Sequence, residues 1–244
     1  MRRRCLAYAV VAACAATLSS PVLAGPRAIV ELFTSQGCSS CPAADTLLGE
    51  LAADPSLIAI SLPMDVWDYL GWKDTLADPR NTARWQAYSK SRGDGQRYTP
   101  QVVVNGAAHA LGSDRSAIEK AIVKSRDIPA VMSVNVAASR AGDRLVIVMP
   151  DGTPAAAADV SVWALAKATT VMITRGENRG RTITYHNVVK RLVKLGPWTA
   201  ATNRWSIPVS DLADPGIETA VVMVQSGTAK MPSVVLGAAL MTIR

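Results

Sequence analysis

The stretch VELFTSQGCSSCPAAD, residues 30–45, places two cysteines between a predicted strand and a predicted helix. Ala28–Phe33 is a short, mostly apolar, β-prone run, which predicts a buried strand. Residues 43–53 carry leucines at helical spacing and are followed by Asp54-Pro55, which predicts a helix that ends there. Cys38 and Cys41 therefore lie at the start of a helix, where free N–H groups and the helix dipole stabilise a thiolate.

The chain up to residue 126 continues with alternating strand and helix patterns. We predict a strand at 57–62, a polar helix at 79–92, a hairpin at 101–111 around the turn Asn105-Gly106, and a helix at 116–126. The resulting order β-α-β-α-β-β-α implies a parallel strand pair with a right-handed crossover. It is the order of a thioredoxin fold, here with an aromatic-rich insertion before Pro100.

The second half of the chain has a different sequence pattern, in which short β-prone runs are separated by turn residues. About seven strands and no helix predict an antiparallel sandwich. The sequence thus predicts an α/β thioredoxin-like N-terminal domain, 25–128, followed by an all-β sandwich-like C-terminal domain, 129–244. The predicted strands are 131–138, 144–149, 160–167, 182–193, 204–209, 219–225 and 233–243.

The N-terminus reads as an export signal, with arginines at positions 2–4, an apolar run and small residues before a cleavage site after Ala24. A lipoprotein signal ending at Cys14 is the alternative. Removal of the three arginines would lower the net charge from +7 to +4. We expect a periplasmic or secreted protein without stable membrane insertion after cleavage, because no other apolar run approaches 18–20 residues. No dense basic run indicates nucleic acid binding.

The cysteine pair has the spacing used for thiol–disulfide exchange. Cys38, at the first turn, is the expected nucleophile, and Cys41 is the expected resolving thiol. Thr99-Pro100 directly precedes a predicted strand, the position of the proline that faces the disulfide in thioredoxin-like sites. A cis Thr99–Pro100 peptide bond would present backbone beside Cys38, with which a substrate strand could pair. The expected partners are protein thiols or disulfides and an unidentified redox partner.

Three other interpretations of the pair stay open. A closed zinc site needs four ligands, and the chain after residue 24 has two cysteines and two histidines, which fall in different predicted domains. A Cu(I) site could use two thiolates. A structural disulfide over so short a loop would add little stability. We therefore predict a Cys38–Cys41 disulfide with no metal and no cofactor.

Four side chains are candidates for supporting the pair. Glu31, an acid on an apolar strand, is the candidate proton acceptor for Cys41. Asp45 lies one helical turn after Cys41 and could also move a proton, although a solvated helix residue is the simpler interpretation. Trp67 and Trp72 are predicted to wall a substrate groove beside Cys38.

Four sequence segments resemble the exported DUF1223 family, a thioredoxin-like group of unknown function. They are VELFTSQGCSSCPAAD, DVWDYLGWKD, YTPQVVVNG and RGENRGRTITYHNVV, in family order. The resemblance implies a thioredoxin-like domain followed by a β-rich domain, but no substrate. It also implies a histidine where this chain has Pro63. Residues 176–180 and 185–187 are expected to form a turn and a polar contact to the first domain, without an assigned chemistry.

Overall fold

The computed structural model describes residues 25–152, 154 and 156–243. The expected leader, including Cys14 and the cleavage site after Ala24, lies outside these residues. The protein is mixed α/β, with one large sheet, a second small sheet and three α-helices among the described residues. None of the described helices combines the length and the apolar character that a membrane crossing requires.

The first half alternates strands and helices as the sequence pattern predicts. The element order is β1 (Ala28–Thr34), α1 (Pro42–Ala52), β2 (Leu57–Pro63), α2 (Pro79–Arg92), β3 (Gln101–Val104), β4 (Ala108–Leu111) and α3 (Arg115–Arg126). Side-chain caps start two of the helices: Asp78 accepts from the N–H of Arg80 at α2, and Asp114 accepts from the N–H of Ala117 at α3.

Among its described residues, the second half contains strands and one 3-10 turn but no α-helix. The strands are β5 (Ala137–Ala141), β6 (Arg144–Val148), β7 (Ala158–Met172), β8 (Thr182–Pro197), β9 (Arg204–Pro208), β10 (Ile217–Thr228) and β11 (Met231–Thr242). The strand predicted at 131–138 begins only at Ala137. Ala130 and Met132 have positive φ angles of 70° and 49°, which interrupt an extended backbone there.

Eight strands form one continuous sheet in the order β11-β10-β7-β8-β2-β1-β3-β4. The two halves meet where β2 and β8 run parallel, with Ser61 opposite Val188. The sheet therefore crosses the predicted domain boundary near 127–129, and the division into two domains stays a prediction. The small sheet, β5-β6-β9, packs on the large one through Leu145 and Ile147, which gives the second half a sandwich-like core.

Strand β1 is buried on both faces, and the two faces pack against different helices. Val30 and Leu32 belong to the core beneath α1 and α3, whereas Ile29 and Phe33 belong to the core on the side of α2. Since side chains alternate along a strand, Glu31 lies on the α2 face.

The Glu31 carboxylate forms a buried ion pair that joins both halves of the chain. The Arg84 Nε donates to it over 2.6 Å, and the Tyr88 hydroxyl donates to it over 2.6 Å. Arg84 also donates to the Gln225 side chain of β10 and lies 4.7 Å from the Trp163 ring centre in β7. The neighbouring carboxylate holds the pKa of the Arg84 guanidinium above its usual range, despite the opposing effect of burial.

We expect Arg84→Ala to lower the free energy of unfolding by about 3–5 kcal/mol, because it leaves the Glu31 charge buried without its partner. Urea denaturation of both proteins measures the difference. Arg80→Ala is the matched control, since Arg80 pairs with Asp78 at the surface and should cost less than about 1 kcal/mol. Equal losses in the two variants would contradict a special role for the buried pair.

Candidate disulfide site

The two cysteines are joined by a disulfide at the junction of β1 and α1. Cys38 and Cys41 lie 5.4 Å apart between Cα atoms. Cys41 is the N-cap residue of α1, followed by Pro42 in the first turn, and its N–H donates to the Cys38 carbonyl over 3.2 Å. Cys41 is fully buried, whereas Cys38 keeps 6% exposure. The Cys38 sulfur is therefore the one that another molecule can approach.

Thr99, Pro100 and Trp67 are all brought to the Cys38 side of the disulfide. The Thr99–Pro100 peptide bond is cis. The Thr99 hydroxyl donates to the Cys38 sulfur over 3.3 Å, and the Trp67 indole N–H donates to that hydroxyl over 2.9 Å. Tyr69 is 74% exposed and lies with its ring centre 5.9 Å from that of Trp67. An exposed aromatic surface thus begins beside Cys38.

Trp72 contacts the loop that precedes Cys38 through the side chain of Gln36. Its indole N–H donates to the Gln36 side chain over 2.8 Å, and its Cβ lies close to Gly176. Gln36 is itself buried, with its backbone N–H donating to Asp74 over 2.8 Å. Trp72 therefore touches the loop through Gln36 and has no direct bond to a cysteine among the contacts described.

Glu31 has its carboxylate in the ion pair with Arg84 and Tyr88, on the face of β1 opposite α1. Its predicted role as proton acceptor for Cys41 stays a prediction, because no described contact links its carboxylate to either cysteine. The buried acid on α1 itself is Asp45, whereas Glu50 of the same helix is exposed.

Asp45 is buried behind the disulfide rather than solvated. It is 2% exposed, and its N–H donates to the Cys41 carbonyl over 3.1 Å, one helical turn away. Burial raises the pKa of its carboxyl to about 8, with the Asp74 charge adding to the rise and the nearby Thr34 hydroxyl opposing it. Within the described residues, neither carboxyl oxygen has a partner at hydrogen-bonding geometry. The carboxyl is therefore protonated at neutral pH.

Two more buried groups share this polar region. Burial raises the pKa of Asp74 to about 6, although its carboxylate accepts from the N–H groups of Gln36 and Leu76. Burial and the charges of Asp45 and Asp74 also raise the pKa of Tyr185, which lies on β8. The disulfide is thus backed by a cluster of acids whose charged forms are disfavoured.

The turn between β7 and β8, residues 173–181, covers the disulfide loop. The buried Asn178 side chain donates to the carbonyls of Gln36 over 2.9 Å and Cys38 over 2.8 Å. The Glu177 carboxylate accepts from the N–H of Ser39 over 3.3 Å. This is the polar contact expected from the 176–180 segment. No local pattern indicated that Asn178 would be the main donor of this contact.

The described residues contain no group of three or more His, Cys, Asp or Glu side chains placed to hold a metal ion. Asp45 and Asp74 lie in the same buried region, while the sulfurs of Cys38 and Cys41 are bonded to each other.

The DUF1223 family, described as a protein of unknown function, matches residues 29–225. This chain belongs to that family. A protein of Agrobacterium tumefaciens, solved by X-ray crystallography, is 30% identical, with a TM-score of 0.78 over 89% of this chain and 95% of that one. HBP35 of Porphyromonas gingivalis is 12% identical, with a TM-score of 0.57 over 89% of this chain and 75% of that one, and shows likeness of fold alone. No curated protein matches.

We expect Asn178→Ala to loosen the disulfide loop. Two buried carbonyls lose their donor, which should raise hydrogen exchange of amides 36–41 by roughly tenfold, about 1.4 kcal/mol of local stability. Mass spectrometry of the exchanged protein measures it. Asn203→Ala is the control, because its side chain bonds Asp151 at the surface. Unchanged exchange at 36–41 would contradict the clamping role of Asn178.

Asp45→Asn should stabilise the oxidised protein increasingly as pH rises. The pKa of the Asp45 carboxyl is about 8 in the folded protein and about 3.9 in the unfolded chain. The free energy of unfolding of the wild type therefore falls as pH rises between these two values and is constant above about pH 8. The stability difference should grow by up to about 1.4 kcal/mol per pH unit in that window. Urea denaturation at several pH values measures it. Asp143→Asn, at an exposed turn, should show no such trend; a pH-independent effect of Asp45→Asn would contradict the raised pKa.

Proposed function

We propose that this protein is exported and performs thiol–disulfide exchange on other exported proteins, and that its first half is a thioredoxin-like unit. The observation that carries the proposal is the hydrogen bond from the Thr99 hydroxyl, just before Pro100, to the Cys38 sulfur. This contact joins a cysteine pair at a helix N-terminus to backbone that can pair with an incoming chain. A disulfide that only closed a loop would not require these neighbours.

The exchange proceeds in two steps that balance electrons and protons. A substrate thiolate attacks the Cys38 sulfur, the Cys38–Cys41 bond breaks, and Cys41 leaves as a thiolate. A second substrate thiolate then attacks its partner sulfur in the mixed disulfide and releases Cys38 as a thiolate. The substrate is oxidised by two electrons and the protein is reduced by two. The same steps in reverse reduce a substrate disulfide.

Three features of the site suit these steps. Helix α1 begins directly after Cys41, so the positive end of its dipole lies beside the cysteine pair. The Thr99 hydroxyl donates to the Cys38 sulfur. Asp45 is buried one turn from Cys41 on the same helix, with its pKa raised to about 8, and we propose that it supplies a proton to the Cys41 sulfur as it leaves and takes it back in the reverse step. The sequence offered both Glu31 and Asp45 for this role, and the role of Glu31 stays a prediction.

The surface around Cys38 suits an extended polypeptide. The Trp67 indole donates to Thr99, which contacts the sulfur, and the exposed Tyr69 ring lies next to Trp67. Ser39 and Ser40, which follow Cys38, are also exposed. We propose that a substrate segment lies across Thr99 and Pro100, with an apolar side chain against Trp67 and Tyr69. Trp67, which would contact the substrate side chain, donates to the Thr99 hydroxyl, and this hydroxyl donates to the Cys38 sulfur.

The test uses a fluorescent peptide with two cysteines, in its reduced and oxidised forms. The oxidised protein should oxidise the reduced peptide, and Cys38→Ser should lower that rate by at least about 100-fold because it removes the attacked sulfur. Reduced Cys41→Ser should form a mixed disulfide with the oxidised peptide through Cys38, which intact mass spectrometry detects. Trp205→Phe is the control, since Trp205 packs against the core of the second half and not against the cysteine loop.

Two outcomes would overturn the proposal. A reduction potential below about −300 mV together with no mixed disulfide would indicate a structural disulfide. Stoichiometric Cu(I) capture by the reduced protein, without any exchange with the peptide, would instead indicate a metal-binding protein.

A further inference from the structure

The large sheet ends at β4, whose outer edge has no neighbouring strand among the described residues. An edge strand presents unpaired N–H and C=O groups, which can pair with another chain. Natural proteins usually protect such an edge with a bulge, a proline or an inward-pointing charge. β4 reads Ala-His-Ala-Leu and contains no proline and no Lys, Arg, Asp or Glu side chain.

A cleft of about 460 Å³ runs along this edge. Its lining includes residues from both faces of β4: Ala108 and Ala110 belong to the core beneath α3, while His109 points to the opposite face, toward Tyr98 and Asp94. The cleft therefore opens over the strand edge itself, with α3 as one wall and the end of α2 as the other.

The wall formed by α3 is built of small and basic residues. Ala117 and Ala121 face the cleft and leave it wide, and Lys120 and Lys124 stand at its rim with exposed side chains. Neither lysine is part of an ion pair described for this protein. On the other wall, the guanidinium of Arg92 and the imidazole of His109 are already bonded to Asp94. The unneutralised positive charge of the cleft thus lies on α3.

We propose that the β4 edge binds an extended segment of a partner protein by strand addition, and that acidic side chains of this segment meet Lys120 and Lys124. Main-chain hydrogen bonds along β4 would provide affinity, and every second side chain would point toward α3. Acidic side chains at those positions would complement the lysines.

Charge argues against a second copy of this chain as the occupant. Two β4 edges paired antiparallel would form one continuous sheet, with both α3 helices on the same side of it. Lys120 and Lys124 of one copy would then approach the same two lysines of the other, which is unfavourable. A segment with acidic residues would instead bring negative charges to the two lysines, which is favourable.

The site is separate from the disulfide. β4 ends at Leu111, and the next residue, Gly112, donates its N–H to the Pro100 carbonyl over 3.0 Å. A segment bound along β4 would therefore run toward the residue that borders Cys38 without occupying the cysteine site. The proposal holds whether or not the disulfide turns over, and its test involves no redox step.

The test uses fluorescence anisotropy with a fluorescein-labelled octapeptide that alternates glutamate and threonine. We expect binding that weakens at least tenfold for Lys120→Glu/Lys124→Glu and changes less than twofold for the control Lys167→Glu/Lys230→Glu. The control makes the same charge change at exposed lysines of β7 and the β10–β11 turn. A peptide with lysine in place of glutamate should bind at least tenfold more weakly.

Backbone pairing is tested with two further peptides, N-methylated on either the glutamate or the threonine amides. Because one edge of a strand presents alternate amides, only one of the two peptides should lose binding. Hydrogen exchange of amides 108–111 should slow when the unmodified peptide binds.

Four results would overturn the proposal. Equal weakening in the two charge-reversal variants would indicate general electrostatic attraction. Unchanged binding of both N-methylated peptides would exclude strand addition. Displacement of the peptide by inorganic phosphate, beyond the effect of chloride at equal ionic strength, would indicate a small-anion site. A dimer seen by analytical ultracentrifugation that protects amides 108–111 without peptide would assign the edge to a second copy.

Discussion

The parallel contact between β2 and β8 is the constraint on which the rest of this structure depends. It is short, with Ser61 opposite Val188, and it is reinforced by the Asn187 side chain, which donates to the Ala59 carbonyl over 2.9 Å. Asn187 adopts a left-handed backbone with φ of 47°, a conformation that asparagine tolerates better than most residues. Through this contact, strands from both halves of the chain form one sheet.

The same contact determines where the β7–β8 hairpin ends. β8 lies against α1 so closely that a side chain at Gly49 would collide with His186. The hairpin then continues beyond β2 until its turn reaches the disulfide loop, where Asn178 holds the Cys38 carbonyl. The environment of the cysteines is therefore produced by residues about 140 positions further along the chain.

Local patterns in the sequence were enough to predict the centre of the site. The strand, the cysteine pair and the helix are adjacent in sequence, and Thr99-Pro100 precedes β3 directly, so strand order alone brings them together. The helix at 79–92 was also confirmed, as Pro79–Arg92. Glu31 was harder to place, because β1 is apolar on both faces and its sequence does not show which face meets α1.

The supporting residues could not be predicted for a different reason. Asp45 reads as a solvated helix residue unless Tyr185 and β8 are known to cover that side of α1. The long strands β7 and β8 were predicted too short, since their outer ends alternate weakly between apolar and polar residues. Burial in both cases depends on a contact between distant segments, which no local periodicity records.

The shared sheet also has a consequence for the order in which the protein is made. A ribosome releases Cys38 and Cys41 long before it adds Asn178, so the growing chain carries its cysteines without their cover and with β2 as an open edge. Until β10 is complete, Arg84 also lacks the Gln225 side chain. A nascent chain therefore passes through a stage in which the cysteine loop is uncovered and the edge of β2 is unpaired.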